Sequence, residues 1–76
     1  MKEVEITSEP IELYKLLKFE GIAMSGGEAK AMIAAGDVTL NGKIETQKRK
    51  KLVSSDCIEI GANKLTLRLV GPPSES

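Results

Sequence analysis

The sequence predicts an α+β fold in which two packed helices are followed by a small antiparallel sheet, with a short N-terminal strand before them. Apolar residues recur at helical spacing up to residue 36, and from residue 38 they alternate with polar residues as in strands. The pair Asn41-Gly42 marks a tight turn inside the alternating part. Helices that precede antiparallel strands along a chain are expected to pack together on one face of the sheet.

Length and composition limit the possible functions. The 76 residues suffice for one domain, expected over residues 1–70, with the Pro/Ser-rich residues 71–76 as a disordered tail. With one cysteine and no histidine, the chain lacks the usual ligands of a zinc site and the base of a Ser–His–Asp triad. We therefore expect no metal and no cofactor. A carboxylate-only or Ser–Lys mechanism is compatible with the composition, but nothing in the sequence positions one, so we expect no enzymatic activity. No secretory signal or membrane-length apolar run is visible, so we expect a cytoplasmic protein without a membrane partner.

The first third of the chain predicts a strand and a helix. Residues 2–7 alternate polar and apolar side chains, which indicates an edge strand. Residues 8–10, Ser-Glu-Pro, are typical of a helix start, with the proline in the first turn. Gly21 is a typical C-terminal stop. Helical spacing predicts a buried face formed by Leu13, Leu16, Leu17 and Phe19.

A second helix is predicted between Ser25 and Gly36. Ser25, followed three residues later by Glu28, has the form of a capping box, and Gly36 is suited to a left-handed cap. Its apolar face is expected to consist of Ala29, Met32 and Ile33. Two glycines, residues 26 and 27, occupy the first turn, although glycine is a poor helix former. They either let the two helices cross closely or leave room for a ligand.

Two hairpins are predicted in the second half. The first pairs residues 38–40 with 43–45 around Asn41-Gly42. Because a strict two-residue turn would place Ile44 on the face opposite Val38 and Leu40, we expect a bulge or a longer turn. The second hairpin turns at residues 61–64. Its alternating pattern points one set of apolar side chains inward: Ile58, Ile60, Leu65, Leu67 and Leu69.

Positive charge is concentrated although the net charge is zero. Residues 43–51 hold five cations and one glutamate, whereas residues 1–14 hold four glutamates and one lysine. The run of residues 48–51, Lys-Arg-Lys-Lys, is either a solvated loop or a footprint for nucleic-acid phosphates. Lys43 on the neighbouring hairpin favours phosphate binding. Lys30 is either an ordinary exposed lysine or a cation beside the free N–H groups of a helix start.

Residues 21–42 contain G-I-A-x-S-x-x-E-A-K-x-x-I-x-x-G-x-V-x-L-N-G, and this segment resembles the S-four RNA-binding domain. The core of that domain is also called the alpha-L motif. The resemblance covers residues 11–69, and the chain looks like the small bacterial proteins that consist of this domain alone. It implies an alpha-L fold and RNA binding through the helix pair and the adjoining hairpin.

The resemblance also implies a set of RNA-binding positions. Ser25, Asn41 and Lys43 match the family pattern, and Lys30 stands where the family has arginine or lysine. Gly26 and Thr39 stand where basic residues are usual, so two phosphate contacts are missing, and residues 48–51 could compensate for them. The candidate RNA-binding residues are Ser25, Gly26, Lys30, Thr39, Asn41, Lys43, Lys48, Arg49, Lys50 and Lys51.

Two functions stay open at this point. The first is a monomeric binder of structured RNA, ribosomal or similar to transfer RNA, which recognises phosphates and shape. This mode is expected because Phe19 is assigned to the core, which leaves no exposed aromatic platform for stacking bases. The alternative is a protein-interaction module that docks an acidic partner on the ribosome or an RNA-processing complex.

Overall fold

The computed structural model describes residues 2–70, which form two helices and seven strands. The two helices precede most of the strands, as predicted, but two short strands come before them where one was predicted. In chain order the elements are β1 (Lys2–Ile6), β2 (Ile11–Glu12), α1 (Leu13–Phe19), α2 (Gly26–Ala34), β3 (Val38–Leu40), β4 (Lys43–Ile44), β5 (Lys51–Leu52), β6 (Cys57–Ile60) and β7 (Asn63–Leu69).

Five of the strands form one sheet in the order β1-β7-β6-β3-β4. Neighbouring strands are antiparallel except for β1 and β7, which run parallel with Val4 opposite Leu67. The predicted N-terminal edge strand is therefore confirmed, and it ends at Ile6. The strands β2 and β5 form a separate antiparallel pair, with Ile11 opposite Leu52.

The hydrophobic core joins the helix pair to one face of the main sheet. The helices contribute fully buried side chains at the predicted spacing: Leu13, Leu16, Leu17, Ala29 and Ile33. The sheet contributes side chains that alternate along β1, β3, β6 and β7: Val4, Ile6, Val38, Ile58, Ile60, Leu65 and Leu67. The two periodicities read from the sequence thus identify most of the core.

Helix α1 begins three residues later than the Ser-Glu-Pro signal suggests, so the predicted start with Pro10 in the first turn is wrong. Residues 11 and 12 are extended because they pair with β5. The N-cap residue, Glu12, makes no side-chain cap hydrogen bond. A tertiary pairing therefore decides where the helix starts, and a local sequence signal does not.

The assignment of Phe19 to the core is also wrong, because its side chain is 74% exposed. Position 20 continues the leucine stripe instead, since it lies four residues after Leu16 and three after Leu17. The side chain of Glu20 is accordingly only 10% exposed, and its carboxylate pairs with Lys2 at 2.9 Å. Phe19 is left on the outer side of α1.

Both predicted glycine caps are confirmed. Gly21 and Gly36 have φ values of 75° and 83°, which residues with a Cβ rarely adopt. The N–H groups of Gly21 and Ile22 donate to Lys18 O and Leu17 O, the paired bonds of a Schellman motif. Equivalent bonds from residues 36 and 37 close α2.

The first hairpin has a strict two-residue turn, so the expected bulge or longer turn is wrong. Leu40 lies opposite Lys43, and the turn residues Asn41 and Gly42 have φ values of 52° and 88°, as in a type I′ turn. Ile44 consequently faces away from the core and is 67% exposed. The two-residue edge strand β4 tolerates this register because Ile44 is its only large apolar side chain.

The second hairpin is tighter than predicted, with only Gly61 and Ala62 between the strands. Leu65 and Leu67 are buried as predicted, whereas Leu69 is exposed. Leu69 lies beyond the last residue of β7 that pairs with β6, and its only strand partner there is Ile6 of β1. The predicted tail, residues 71–76, lies outside the described residues.

Candidate nucleic-acid interface

The serine half of the predicted capping box is present at the start of α2, and the glutamate half is shifted by one residue. Ser25 is the N-cap, and its Oγ accepts a hydrogen bond from the Glu28 N–H at 3.1 Å. The Glu28 carboxylate in turn accepts from the N–H of Met24, one residue before the N-cap. Within residues 2–70 the N–H groups of Gly26 and Gly27 have no acceptor. Such free N–H groups at a helix start attract anions.

Neither glycine in the first turn of α2 is required for helix packing. A Cβ added at Gly26 would lie 3.7 Å from Tyr14 Cε2, and one at Gly27 would lie 3.9 Å from Ser25 Oγ. Both distances are ordinary van der Waals contacts, so the two helices would tolerate alanine at either position. The interpretation that the glycines allow a close helix crossing is therefore unsupported. The same geometry shows that Gly26 borders the ring of Tyr14.

Three cations surround the ring of Tyr14, and we call these four residues the Tyr14 cluster. Lys30 Nζ lies 4.7 Å from the ring centroid, Arg49 Cζ 5.7 Å and Lys15 Nζ 5.9 Å. These distances are within the range of cation–π attraction. Lys15 also pairs with Glu12 at 3.2 Å, whereas Lys30 and Arg49 have no carboxylate partner in the described part of the chain. Two uncompensated cations thus meet at one aromatic ring.

Residues 48–51, which we call the basic loop, present their charges on a tight turn. The Lys50 N–H donates to Gln47 O at 3.1 Å, so Lys48 and Arg49 occupy the two central positions. Both central side chains are exposed. This geometry separates the charged heads from the core and directs them to solvent.

The main chain of the basic loop holds it against α1. The first two N–H groups of α1, from Leu13 and Tyr14, donate to Lys50 O and Lys48 O at 2.9 and 3.1 Å. Fully buried Leu52 follows the loop and anchors it through the pairing of β5 with β2. Because α1 lacks a side-chain N-cap, these carbonyls satisfy its free donors. The loop is therefore fixed in place beside Tyr14.

Two of the three predicted residues of the first hairpin, Thr39 and Asn41, are engaged within the protein. Thr39 Oγ1 donates to Glu59 O at 3.5 Å. The amide of Asn41 donates to Asp56 Oδ1 at 3.1 Å and accepts from the Cys57 N–H at 2.9 Å. The side chain of Asn41 thus connects the turn to the start of β6, which is a structural role.

The structure divides the ten predicted residues into two groups. Gly26, Lys30 and Arg49 meet at Tyr14, with Ser25 adjoining at the start of α2 and the rest of the basic loop adjoining along the chain. The second group consists of Thr39 and Asn41, which bond to β6 and the turn before it, and Lys43, which is exposed on the edge strand β4.

The sequence prediction missed two residues of the Tyr14 cluster, Tyr14 itself and Lys15. One signal could have identified Tyr14: it is the only tyrosine of the chain, and it lies next to Leu13 but off the leucine stripe. The contact between Tyr14 and Arg49 depends on the fold of the basic loop, so it could not be predicted from the sequence. In residues 2–70 no helix is long and apolar enough to span a membrane.

Comparison with known proteins identifies relatives of the chain. The family model for the S4 domain, which is the S-four domain that the sequence resembles, matches residues 4–68. The chain is 40% identical over 55 residues to YbcJ of Escherichia coli (strain K12), whose name gives RNA binding as a provisional assignment. The match covers 72% of this chain and 79% of YbcJ. YbcJ of Shigella flexneri, an uncharacterised protein, matches to the same extent.

A solved structure also matches the fold. The solution structure of E. coli YbcJ superimposes with a TM-score of 0.67 and 34% identity, over 87% of this chain and 85% of that one. That structure is described as revealing an alpha-L motif involved in RNA binding. The predicted fold class, two helices with a small sheet of the alpha-L type, is thereby confirmed.

Proposed function

The chain belongs to the S4 domain family, and because of this membership and the geometry of the Tyr14 cluster we propose that it is an RNA-binding protein. The observation that carries the proposal is the meeting of Lys30 and Arg49 at one ring. They come from α2 and from the basic loop, which are distant in the sequence. Cations held close together without carboxylate partners repel one another, and an anionic ligand that binds between them relieves this repulsion.

The RNA phosphates would bind on one side of α2. Gly26 and Lys30 are four residues apart and share a helix face, whereas Glu28 points to the other side. A phosphate that approaches over Gly26 meets the free N–H groups of the helix start and the ammonium group of Lys30, away from the Glu28 carboxylate. The exposed charges of the basic loop extend this surface along the RNA backbone.

We further propose that the ligand is a structured RNA, ribosomal or similar to transfer RNA. The cations are held by helix capping and strand pairing, so their spacing is fixed before the ligand arrives. A fixed set of phosphate contacts matches a folded RNA, whose backbone has a fixed geometry, better than a flexible strand. The protein is proposed to act by binding, as a cytoplasmic monomer, and without catalysis.

The proposal is tested by reversing the two uncompensated cations in the double variant Lys30→Glu/Arg49→Glu. The ligand is a transfer RNA at low salt, and the readout is the fluorescence of Tyr14, which no tryptophan obscures. We expect an increase of about tenfold or more in Kd, because two phosphate contacts become repulsive.

The matched control is Lys64→Glu/Arg68→Glu, which changes the net charge equally on β7. Both control residues are exposed and pair with glutamates, at 3.4 and 3.6 Å. The control is expected to bind transfer RNA within about twofold of the unmodified protein. An equal loss in both variants would show that net charge alone governs binding and would contradict the assigned interface. If the surface instead docks an acidic protein, neither the unmodified protein nor any variant is expected to bind RNA.

A further inference from the structure

Phe19 is an exposed aromatic side chain with no function in the fold. It is 74% exposed at the end of α1, and the position that continues the leucine stripe is taken by Glu20, whose carboxylate pairs with Lys2. Leaving a phenylalanine in water forgoes the stabilisation that burial would give. An aromatic ring in this situation is a candidate contact for a ligand.

The surroundings of Phe19 are basic. Phe19 lies beside Lys15, which is four residues earlier and one turn away, and beside Lys18, which directly precedes it along α1. Lys18 has no carboxylate partner within residues 2–70. Tyr14, Lys15, Lys18 and Phe19 together line a shallow depression on the surface of α1. This depression is continuous with the Tyr14 cluster, because it shares Tyr14 and Lys15 with it.

Phe19 also lines a larger groove. It has a volume of about 620 Å³, and its apolar lining includes Pro10, Ile11 and Phe19. Lys15 and Lys51 also line it, so the groove leads from Phe19 to the end of the basic loop. Two glutamates, Glu5 and Glu12, line it as well, and their charge disfavours a phosphate inside the groove.

From this arrangement we propose that Phe19 is a stacking platform for an unpaired RNA base next to the structured region held by the Tyr14 cluster. The inference rests on the proposed RNA-binding function. It adds that the bound RNA has an unpaired base, either in a single-stranded extension or displaced from a helix. The apolar ring and groove accept the base, and Lys15 and Lys18 hold its phosphates outside. Aromatic stacking combined with flanking cations is the general mode by which proteins bind unpaired nucleotides.

The experiment compares three RNA ligands that share one stable hairpin. The first is blunt, the second carries a single-stranded extension of five adenosines, and the third carries five abasic nucleotides. The second and third have the same phosphates and differ only in their bases. We expect the unmodified protein to bind the adenosine extension roughly 5- to 100-fold more tightly than the abasic one.

Phe19→Ala is expected to abolish this difference while it retains the affinity for the blunt hairpin. Phe19→Leu keeps an apolar side chain without a ring and is expected to lose most of the difference too. Ile44→Ala is the matched control, since it removes a similarly exposed apolar side chain on the far edge of the sheet. Circular dichroism checks that each variant is folded. Because both positions are exposed, we expect the substitutions to preserve the fold.

The outcomes separate this inference from the proposed function. If the unmodified protein binds the blunt hairpin but shows no preference for adenosine over abasic nucleotides, the stacking platform is overturned and Phe19 is left as a contact for a protein partner. A preference that survives in Phe19→Ala overturns it as well. Failure to bind any of the three RNAs overturns the proposed function itself.

Discussion

At the scale of single residues, Tyr14 organises the candidate interface. Its ring borders Gly26 and is within 6 Å of three cations from α1, α2 and the basic loop. Its N–H also bonds to the main chain of Lys48. Tyr14 therefore brings together, through its ring and its main-chain N–H, the charges that the RNA would meet.

Gly26 gives the prediction that belongs to this scale. The resemblance to the S4 domain family implies an arginine at this position, and a Cβ added at Gly26 would make only an ordinary van der Waals contact with Tyr14. We expect Gly26→Arg to tighten RNA binding several-fold, because a guanidinium would join Lys30 on the same helix face and add a phosphate contact. The measurement is the Kd for transfer RNA at several salt concentrations. The slope of log K against log salt should steepen by roughly 0.7–0.9.

Two controls accompany this substitution. Gly26→Ala fills the same space without charge and is expected to leave the affinity unchanged. Gly27→Arg adds the same charge one position further, about 100° around the helix. If Gly26→Arg binds RNA more weakly than the unmodified protein, the RNA backbone approaches Gly26 closely and the family-based interpretation is wrong.

At the scale of elements, the first hairpin separates structural from functional residues. Asn41 adopts a positive φ and uses its side-chain amide to bond Asp56 and the N–H of Cys57. The family pattern includes this asparagine among the RNA-binding positions. The geometry instead favours a role in holding the turn against β6.

The variant Asn41→Gly tests this distinction. Glycine retains the positive φ of the turn but removes both side-chain hydrogen bonds, each worth about 1 kcal/mol. We expect Tm to fall by roughly 5–15 °C, while the Kd for RNA stays unchanged at temperatures where the variant is folded. Thermal unfolding and RNA titration measure the two quantities separately.

The matched control for this variant is Asn63→Gly. Asn63 is exposed at the start of β7 and makes no side-chain hydrogen bond within residues 2–70, so its replacement should lower Tm less. An unchanged Tm but weaker RNA binding in Asn41→Gly would restore Asn41 to the interface.

The same elements show what the sequence could and could not predict. The helical leucine face, the two glycine caps and the alternating strands follow from local patterns, and all are present in the fold. The start of α1 and the exposure of Phe19 were predicted wrongly. The start of α1 depends on the pairing with β5, which is distant in the sequence, whereas the exposure of Phe19 follows from local spacing, because the leucine stripe continues at Glu20.

The candidate site shows the same division between local and distant information. The cationic run and Lys30 can be recognised from the sequence, because charge and spacing are local properties. Their meeting at Tyr14 requires the basic loop to fold back onto the start of α1 through main-chain hydrogen bonds. No side-chain pattern encodes those bonds, so the sequence could not place the loop beside Tyr14.

At the scale of the whole molecule, the zero net charge conceals a separation of charge. The exposed glutamates Glu3 and Glu5 lie on β1 at one edge of the main sheet, whereas Lys30 and Arg49 lie beside Tyr14. A neutral protein has little long-range attraction for RNA, so its affinity should depend on the few phosphates that reach the basic surface.

This argument predicts a moderate dependence of RNA binding on salt. About four phosphate contacts would give a slope of log K against log salt of about −3 to −4. The measurement is a titration of transfer RNA between about 50 and 200 mM salt, where the affinity should fall roughly 50- to 250-fold. Lys64→Glu/Arg68→Glu should keep the slope, whereas Lys30→Glu/Arg49→Glu should reduce it by about 2. A slope near zero in the unmodified protein would mean that phosphates contribute little, and it would contradict both the interface and the proposed mode of recognition.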